Sequence, residues 1–364
     1  MSIEIVAVGS ELLRGMIVNT NAAFLGRRLD EEGWTALRQT TLPDERSELC
    51  KGLKECLDRS SIVISTGGVG PTLDDITPQC AATLFSSPGK PLKNRIGSAS
   101  GVYFKEGKRM LFLLPGVPQE MEVMFDEEVL PMLPPQKKGH RVSLHFSMLR
   151  ENDVDPFLRE MEFESGIYPS WGTLTVVLRG DDLAALERGK EKLKKQFHEH
   201  YYESPSGKLE EAIQEWMIRH KKTVACAESC TGGMISFQLT QIPGASNYFL
   251  GSLVTYSNHL KEKLLHVSPG TLKSEGAVSR ETVHEMWKGV LQATGADFGV
   301  AVSGIAGPSG GTPDKPVGTV FYALGFKGSE PEIGTFHFKG PRSLVILRTT
   351  RRLLALIWEA TAKY

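Results

Sequence analysis

The sequence predicts an α/β protein: two parallel-sheet α/β/α domains joined by a small α+β module. Three observations carry this. Short strands of continuous apolar type end in glycine-rich turns and alternate with helical stretches in both halves of the chain. Two segments with linker composition, Leu133-Pro-Pro-Gln-Lys-Lys-Gly139 and Glu203-Ser-Pro-Ser-Gly207, interrupt that alternation. The 364 residues, 40% hydrophobic and 23% charged, suffice for two or three full cores. The expected domains are 1–135, 136–203 and 208–364.

In the first domain Ile3 to Val8 reads as a strand running into Gly9-Ser10-Glu11, followed by a helix over about Asn19 to Glu32. Ser61 to Ser65 ends in Thr66-Gly-Gly-Val-Gly-Pro-Thr-Leu-Asp-Asp75, and Arg109 to Leu114 ends in Pro115-Gly-Val-Pro118. In parallel sheets the loops at the carboxyl ends of strands form the ligand crevice. The expected crevice residues are therefore Glu11, Thr66, Gly67, Gly68, Pro115 and Gly116, with Asp74 and Asp75 beside them. Paired aspartates next to a glycine turn suit a divalent cation bridging to phosphates, and equally suit a helix N-terminus.

The middle segment offers strands at His140 to Leu149 and Thr173 to Leu178, and helices near Asp155 to Met161 and Asp182 to His200. It contains no catalytic cluster. The last domain resumes the α/β alternation. Helices are expected over Lys208 to Arg219, Gly232 to Thr240, around Lys261 and Lys263, over Ser279 to Ala293 and over Arg342 to Ala360. Strands are expected at Thr223 to Ala227, Phe249 to Tyr256, Phe298 to Ser303 and Gly318 to Gly325.

A formal charge of -1, from 42 basic and 43 acidic residues, gives no field that favours nucleic acid or an anionic membrane. The five cysteines form no CxxC pair, no charged leader precedes Ile3, and no apolar stretch is long enough to span a bilayer. The expectation is a cytoplasmic protein with reduced thiols and no structural zinc.

Chemistry concentrates at Ala227-Glu-Ser-Cys-Thr-Gly-Gly233. A hydroxyl and two glycines where a strand turns into a helix place Ser229 before exposed N–H groups, those of Thr231, Gly232 and Gly233, which can hold an anion or oxyanion. Alone, such a turn is more often a helix cap. Downstream residues change that balance. Lys261 follows a strand and Tyr256, and a lysine desolvated beside a tyrosine can accept a serine proton. Cys230 is a rival nucleophile, while His259, His266, His284 and His337 lie in no recognisable turn. Gly304, Gly307, Gly310 and Gly311, four glycines in the nine positions from Gly304 to Thr312, suit backbone approach to a phosphate.

The motifs AESCTGG, VTYSN with Lys261, GAVS, SGIAGPSGG and KPVGTV resemble the C-terminal domain of the CinA family, the nicotinamide mononucleotide deamidases. AVGSELLRGMIVNTN, STGGVGPTLDDIT and LPGVPQEM resemble that family's N-terminal domain, which is similar to the MoaB and MogA molybdopterin-binding proteins. The resemblance implies hydrolysis of the nicotinamide mononucleotide carboxamide to the acid and ammonia. Ser229 is then the nucleophile, Lys261 the base, and Tyr256 an orienting or relaying group between them. Arg342 matches a family position that holds the phosphate, whereas the second expected arginine is replaced by Ile346, with Arg348 on another helix face. No cofactor is implied for the amidase; Mg²⁺, Mn²⁺ or Co²⁺ is implied for an N-terminal ADP-ribose pyrophosphatase, with Asp74 and Asp75 as its ligands. That site is expected to lack a wall, because the stretch from Thr77 to Gly97 is shorter than is usual in the family. Nucleotide substrates and a homodimer are further implications. The middle module resembles a KH-type fold but lacks the basic groove and GxxG clamp of an RNA binder. A non-catalytic nucleotide sensor is the alternative to the enzyme.

Overall fold

The computed structural model describes residues 1–72, 75–136 and 138–362. The chain divides into two compact units, Met1–Gly139 and His140–Tyr364.

The first unit is a six-stranded sheet. Its elements in chain order are β1 (Ile3–Val8), α1 (Ser10–Leu13), α2 (Thr20–Glu31), β2 (Ala36–Leu42), α3 (Arg46–Arg59), β3 (Ile62–Thr66), α4 (Thr77–Ala82), β4 (Lys90–Leu92), β5 (Gly101–Glu106), β6 (Arg109–Leu114) and α5 (Pro118–Met124). The order is β2-β1-β3-β6-β5-β4, parallel through β6 and antiparallel for β5 and β4. Continuous apolar strands arise because both faces are covered. Ile3 and Ile5 of β1 pack with Leu25, Leu29 and Phe112, while Val6 and Val8 pack with Leu49, Leu53 and Leu111 on the opposite face. α2 begins where the Asn19 side chain accepts the Ala22 N–H at 2.9 Å.

The second unit contains two sheets. β7 (His140–Ser147), α6 (Glu151–Leu158), β8 (Glu164–Ser170), β9 (Thr173–Gly180), α7 (Leu183–Gln196) and β10 (Tyr201–Tyr202) form an antiparallel α+β layer of order β10-β7-β9-β8. There follow α8 (Leu209–Arg219), β11 (Val224–Glu228), α9 (Met234–Thr240), β12 (Phe249–Val254), α10 (Asn258–Leu265), α11 (Pro269–Ser274), α12 (Arg280–Thr294), β13 (Phe298–Gly304), β14 (Thr319–Phe326), β15 (Glu332–His337) and α13 (Arg342–Ala362). This sheet runs β12-β11-β13-β14-β15, parallel across its first three strands. One face carries Val224, Cys226, Val300 and Val302 against α8 and α13. The other carries Ala225, Ala227 and Ala301, whose small side chains make room for Trp287 and Val290 of α12. The α+β layer packs on α13, with Trp358 Nε1 donating to Tyr201 O at 3.2 Å.

The α/β class with largely parallel sheets is as expected, and hairpin-linked strands, β5 with β6 and β14 with β15, extend each large sheet on one side. One expectation needs correction: not all thiols are reduced. Cys50 of α3 and Cys80 of α4 are joined in a disulfide, since the packing of these helices brings their Cα atoms to 5.0 Å. Cys56, Cys226 and Cys230 remain free and buried. No helix among the described residues is long and apolar enough to cross a membrane.

Candidate functional site

Register gathers the site of the second unit. Glu228 pairs with Val254 on one side and Val302 on the other, so the residues just after the three parallel strands lie side by side. The main chain ties them: Thr255 N donates to Glu228 O at 2.8 Å, and Ser229 N to Val302 O at 3.1 Å. Into this junction α10 delivers Lys261 from its first turn, where the Ser257 hydroxyl caps the helix through Leu260 N.

Lys261 is 1% exposed and Ser229 7%. Lys261 Nζ donates to Ser229 Oγ at 3.0 Å and to Thr255 O at 2.7 Å. Burial holds the Lys261 pKa down at about 8, while the neighbouring Cys230 thiol pulls in the opposite direction. A neutral lysine can accept the hydroxyl proton, so the pair has the geometry of a serine nucleophile with its base. Cys230 is no competitor: burial pushes its thiol up to about 12.

Tyr256 is placed differently from expectation. Its side chain is 58% exposed, and its hydroxyl accepts from Arg342 Nη2 at 2.6 Å instead of lying between Ser229 and Lys261. Arg342 Nη1 also donates to Gly307 O at 3.0 Å, so one guanidinium ties the β12 end to the glycine loop. A side chain that follows its strand by two residues turns outward here, toward a cation 86 residues further on.

The turn donors also differ from expectation. Gly232 N donates to Ser229 O and Gly233 N to Glu228 Oε2, while Thr231 Oγ1 donates to the same carboxylate oxygen at 2.7 Å. The N–H groups of Cys230 and Thr231 donate to no other residue among the described residues, and the Cys230 N–H faces its own thiol. Gly232 and Gly233 stand at φ +62° and +99°, where other residues are strained. In the loop after β13, a Cβ at Gly307 would meet Val317 Cγ1 at 2.6 Å and one at Gly311 would meet Val317 N at 2.7 Å. Close packing of the loop on itself therefore explains these glycines without a ligand. Gly304 is likewise pressed against Thr319 O and Val320, whereas Gly310 has room. Ile346 packs on the core, and Arg348 donates to Lys339 O at 2.8 Å with its guanidinium 5.9 Å from the Trp171 ring centroid.

The first unit has its own crevice, a cavity of about 400 Å³ whose lining includes Glu11, Gly67, Gly68, Asp75, Pro115 and Gly116. Thr66 lies behind it, donating to Pro115 O at 2.7 Å and accepting from Asn21 Nδ2 at 2.8 Å. Asp74 lies outside the described residues. Asp75 Oδ2 accepts from Thr72 N and Oγ1 at 2.9 and 2.6 Å, so it is engaged in its own turn. Among the described residues no three His, Cys, Asp or Glu side chains are grouped to hold a metal ion.

Comparison with known proteins places both units. The CinA C-terminal domain family matches residues 206–361, and the "Probable molybdopterin binding domain" family matches residues 4–135. A CinA-like protein of Endomicrobium trichonymphae is 36% identical, covering 98% of each chain. The chain belongs to the CinA-like family. A CinA-like protein of Geobacter metallireducens is 34% identical over 408 aligned positions, also covering 98% of each chain. Those positions outnumber the 364 residues here, so that relative carries segments with no counterpart in this chain. Among solved structures, the competence damage-inducible protein A (ComA) of Klebsiella pneumoniae is 35% identical, covering 43% of this chain and 96% of that one, with a TM-score of 0.42.

Sequence reasoning missed Glu228, Thr255 and Asn21. Glu228 alone had a legible signal: a charged residue ending an apolar strand, just before a turn rich in donors.

Proposed function

We propose that this CinA-like chain is an amidohydrolase that converts nicotinamide mononucleotide to nicotinic acid mononucleotide and ammonia. The observation that carries the reading is the buried Lys261 Nζ, 3.0 Å from Ser229 Oγ and held near pKa 8. In the first half-reaction Ser229 Oγ attacks the carboxamide carbon and its proton passes to Lys261 Nζ. The C–N bond then breaks as Lys261 returns that proton to the departing ammonia. In the second, Lys261 takes a proton from water while the water oxygen attacks the acyl ester, and gives it to Ser229 Oγ as the acid leaves. The N–H groups of Cys230 and Thr231, which donate to no other residue among those described, suit the oxyanion, and Arg342 with Tyr256 suits the phosphate.

Replacing Ser229 by Ala tests the reading through ammonia release from nicotinamide mononucleotide. Loss of release with an unchanged fold is the expected result, and retained turnover removes Ser229 from its role. A non-catalytic nucleotide sensor is the second reading, favoured by the commitment of Ile346 to the core, which leaves Arg342 as the cation on that helix face. A wild-type chain that binds the nucleotide and releases no ammonia supports the sensor.

For the first unit, the cavity at Gly67 and Gly116 suits a nucleotide. The described carboxylates do not form the donor set of a divalent cation, so no pyrophosphatase step is drawn through one. Product analysis with ADP-ribose and added Mg²⁺, Mn²⁺ or Co²⁺ separates a hydrolase from a binding domain. The self-association expected of the family is tested by sedimentation of the full chain.

A further inference from the structure

The serine turn rests on a carboxylate that the proposed chemistry does not use. Glu228 ends β11 fully buried. Its Oε2 accepts from Thr231 Oγ1 at 2.7 Å, Gly233 N at 3.0 Å and Ile235 N at 3.2 Å. Its Oε1 accepts from Ser236 N at 3.0 Å, from Ser236 Oγ and from Ser252 Oγ at 3.4 Å. Every partner is a donor, and the donors come from the turn, the first turn of α9 and the neighbouring strand β12.

We propose that Glu228 is a positioning residue for Ser229, an internal anion that occupies the N-terminus of α9 and fixes the turn on which the nucleophile stands. The proposal rests on the amidohydrolase reading. A helix N-terminus with free amides draws anions and water. Here Gly233, Ile235 and Ser236 spend those amides on Glu228, so the phosphate of a substrate is received elsewhere. What the turn still offers is the N–H pair of Cys230 and Thr231, suited to a small oxyanion. Through its main chain the same residue reaches the base: Glu228 O accepts Thr255 N at 2.8 Å, and Thr255 O accepts Lys261 Nζ at 2.7 Å. The side chain thus holds the serine turn while the backbone holds the carbonyl that aims the lysine.

Glu228→Gln keeps the shape but turns an NH₂ toward one of the two sets of three donors. Two readouts apply, each scaled per folded molecule: kcat and KM for ammonia release, and the rate at which a fluorophosphonate labels Ser229, followed by mass spectrometry. Mispositioning lowers kcat by about tenfold or more with KM within about twofold, and slows labelling in parallel. A purely structural role lowers the melting temperature and the yield of folded protein but leaves both rates unchanged. Ser236→Ala, which deletes one donor and keeps the charge, is the second variant and loses several-fold in the same two rates. Wild-type kcat and labelling rate in folded Glu228→Gln overturns the proposal. If that variant does not fold, wild-type rates in Ser236→Ala overturn it instead. A wild-type chain that labels at Ser229 yet releases no ammonia refutes the substrate reading, and the labelling rates then decide for or against Glu228 by themselves.

Discussion

Lys261 Nζ donates to Ser229 Oγ at 3.0 Å, and this buried lysine has main-chain and hydroxyl partners but no carboxylate partner among the described residues. A buried lysine paired with Asp or Glu is kept charged and useless as a base. One left with a carbonyl and a hydroxyl gains little from its charge and gives the proton up readily.

Substitution of Lys261, the proposed base, follows directly. Lys261→Met removes the proton acceptor, and Lys261→Arg keeps a cation that does not deprotonate. Both variants should lose about 10²- to 10⁴-fold in kcat, the usual range for a general base. Ammonia release under single-turnover conditions measures it; an active Lys261→Arg enzyme removes lysine from the base role.

The pH dependence has a fixed sign. With a pKa of about 8, Lys261 is neutral in about a tenth of molecules at pH 7. Activity at low substrate should therefore rise tenfold per unit up to about pH 8 and level off above it. Stability runs the same way. The folded value lies below the unfolded 10.5, so the unfolded chain binds more protons between about 8 and 10.5. This group's contribution grows as pH rises through that window and is lost as pH falls through 8. A kcat/KM profile that is flat from pH 6 to pH 9 contradicts the assignment.

Tyr256→Phe separates relay from substrate contact. The hydroxyl meets Arg342, not the Ser229 and Lys261 pair, so its loss should raise KM several-fold and leave kcat within about threefold. A kcat loss comparable to that of Lys261→Met restores the relay.

The contact between Ser229 and Lys261, the proposed nucleophile and base, was legible because each residue sits at a local feature, a serine at a strand-to-helix turn and a lysine one turn into the helix after a strand, and the motif resemblance joined the two. The remaining parts depend on contacts between distant segments. Tyr256 meets Arg342 across 86 residues, and Glu228 draws donors from three elements, with Ser252 contributed by the adjacent strand. Cys50 and Cys80 are 30 residues apart on helices whose packing no periodicity specifies. β15, Glu332–His337, is a short, half-exposed run without the continuous apolar signal that marked β11 and β13.

The Cys50–Cys80 bridge predicts unequal responses of the two units to reductant. It closes a loop of 30 residues between α3 and α4, and such a cross-link is worth about 3 kcal/mol. For a unit of 139 residues that corresponds to roughly 10 °C in Tm. Cys50→Ser should lower the melting of Met1–Gly139 by about that much and leave ammonia release unchanged. An unchanged melting profile means that the thiols are reduced in solution.

Ile346→Arg tests whether the phosphate lies along α13. Ile346 follows Arg342 by one helical turn, and residues four apart share a face, so an arginine there stands beside the first. Ile346 contributes to the core from a half-buried position, and losing that contact costs about 1 kcal/mol of stability. The guanidinium can still extend its head to solvent while its stem packs where the isoleucine did. A second cation beside Arg342 should lower KM for nicotinamide mononucleotide several-fold without changing kcat. The same variant should leave KM for nicotinamide riboside, which has no phosphate, where it was. If both substrates respond alike, the change acts through packing. If neither responds, the phosphate is held away from α13.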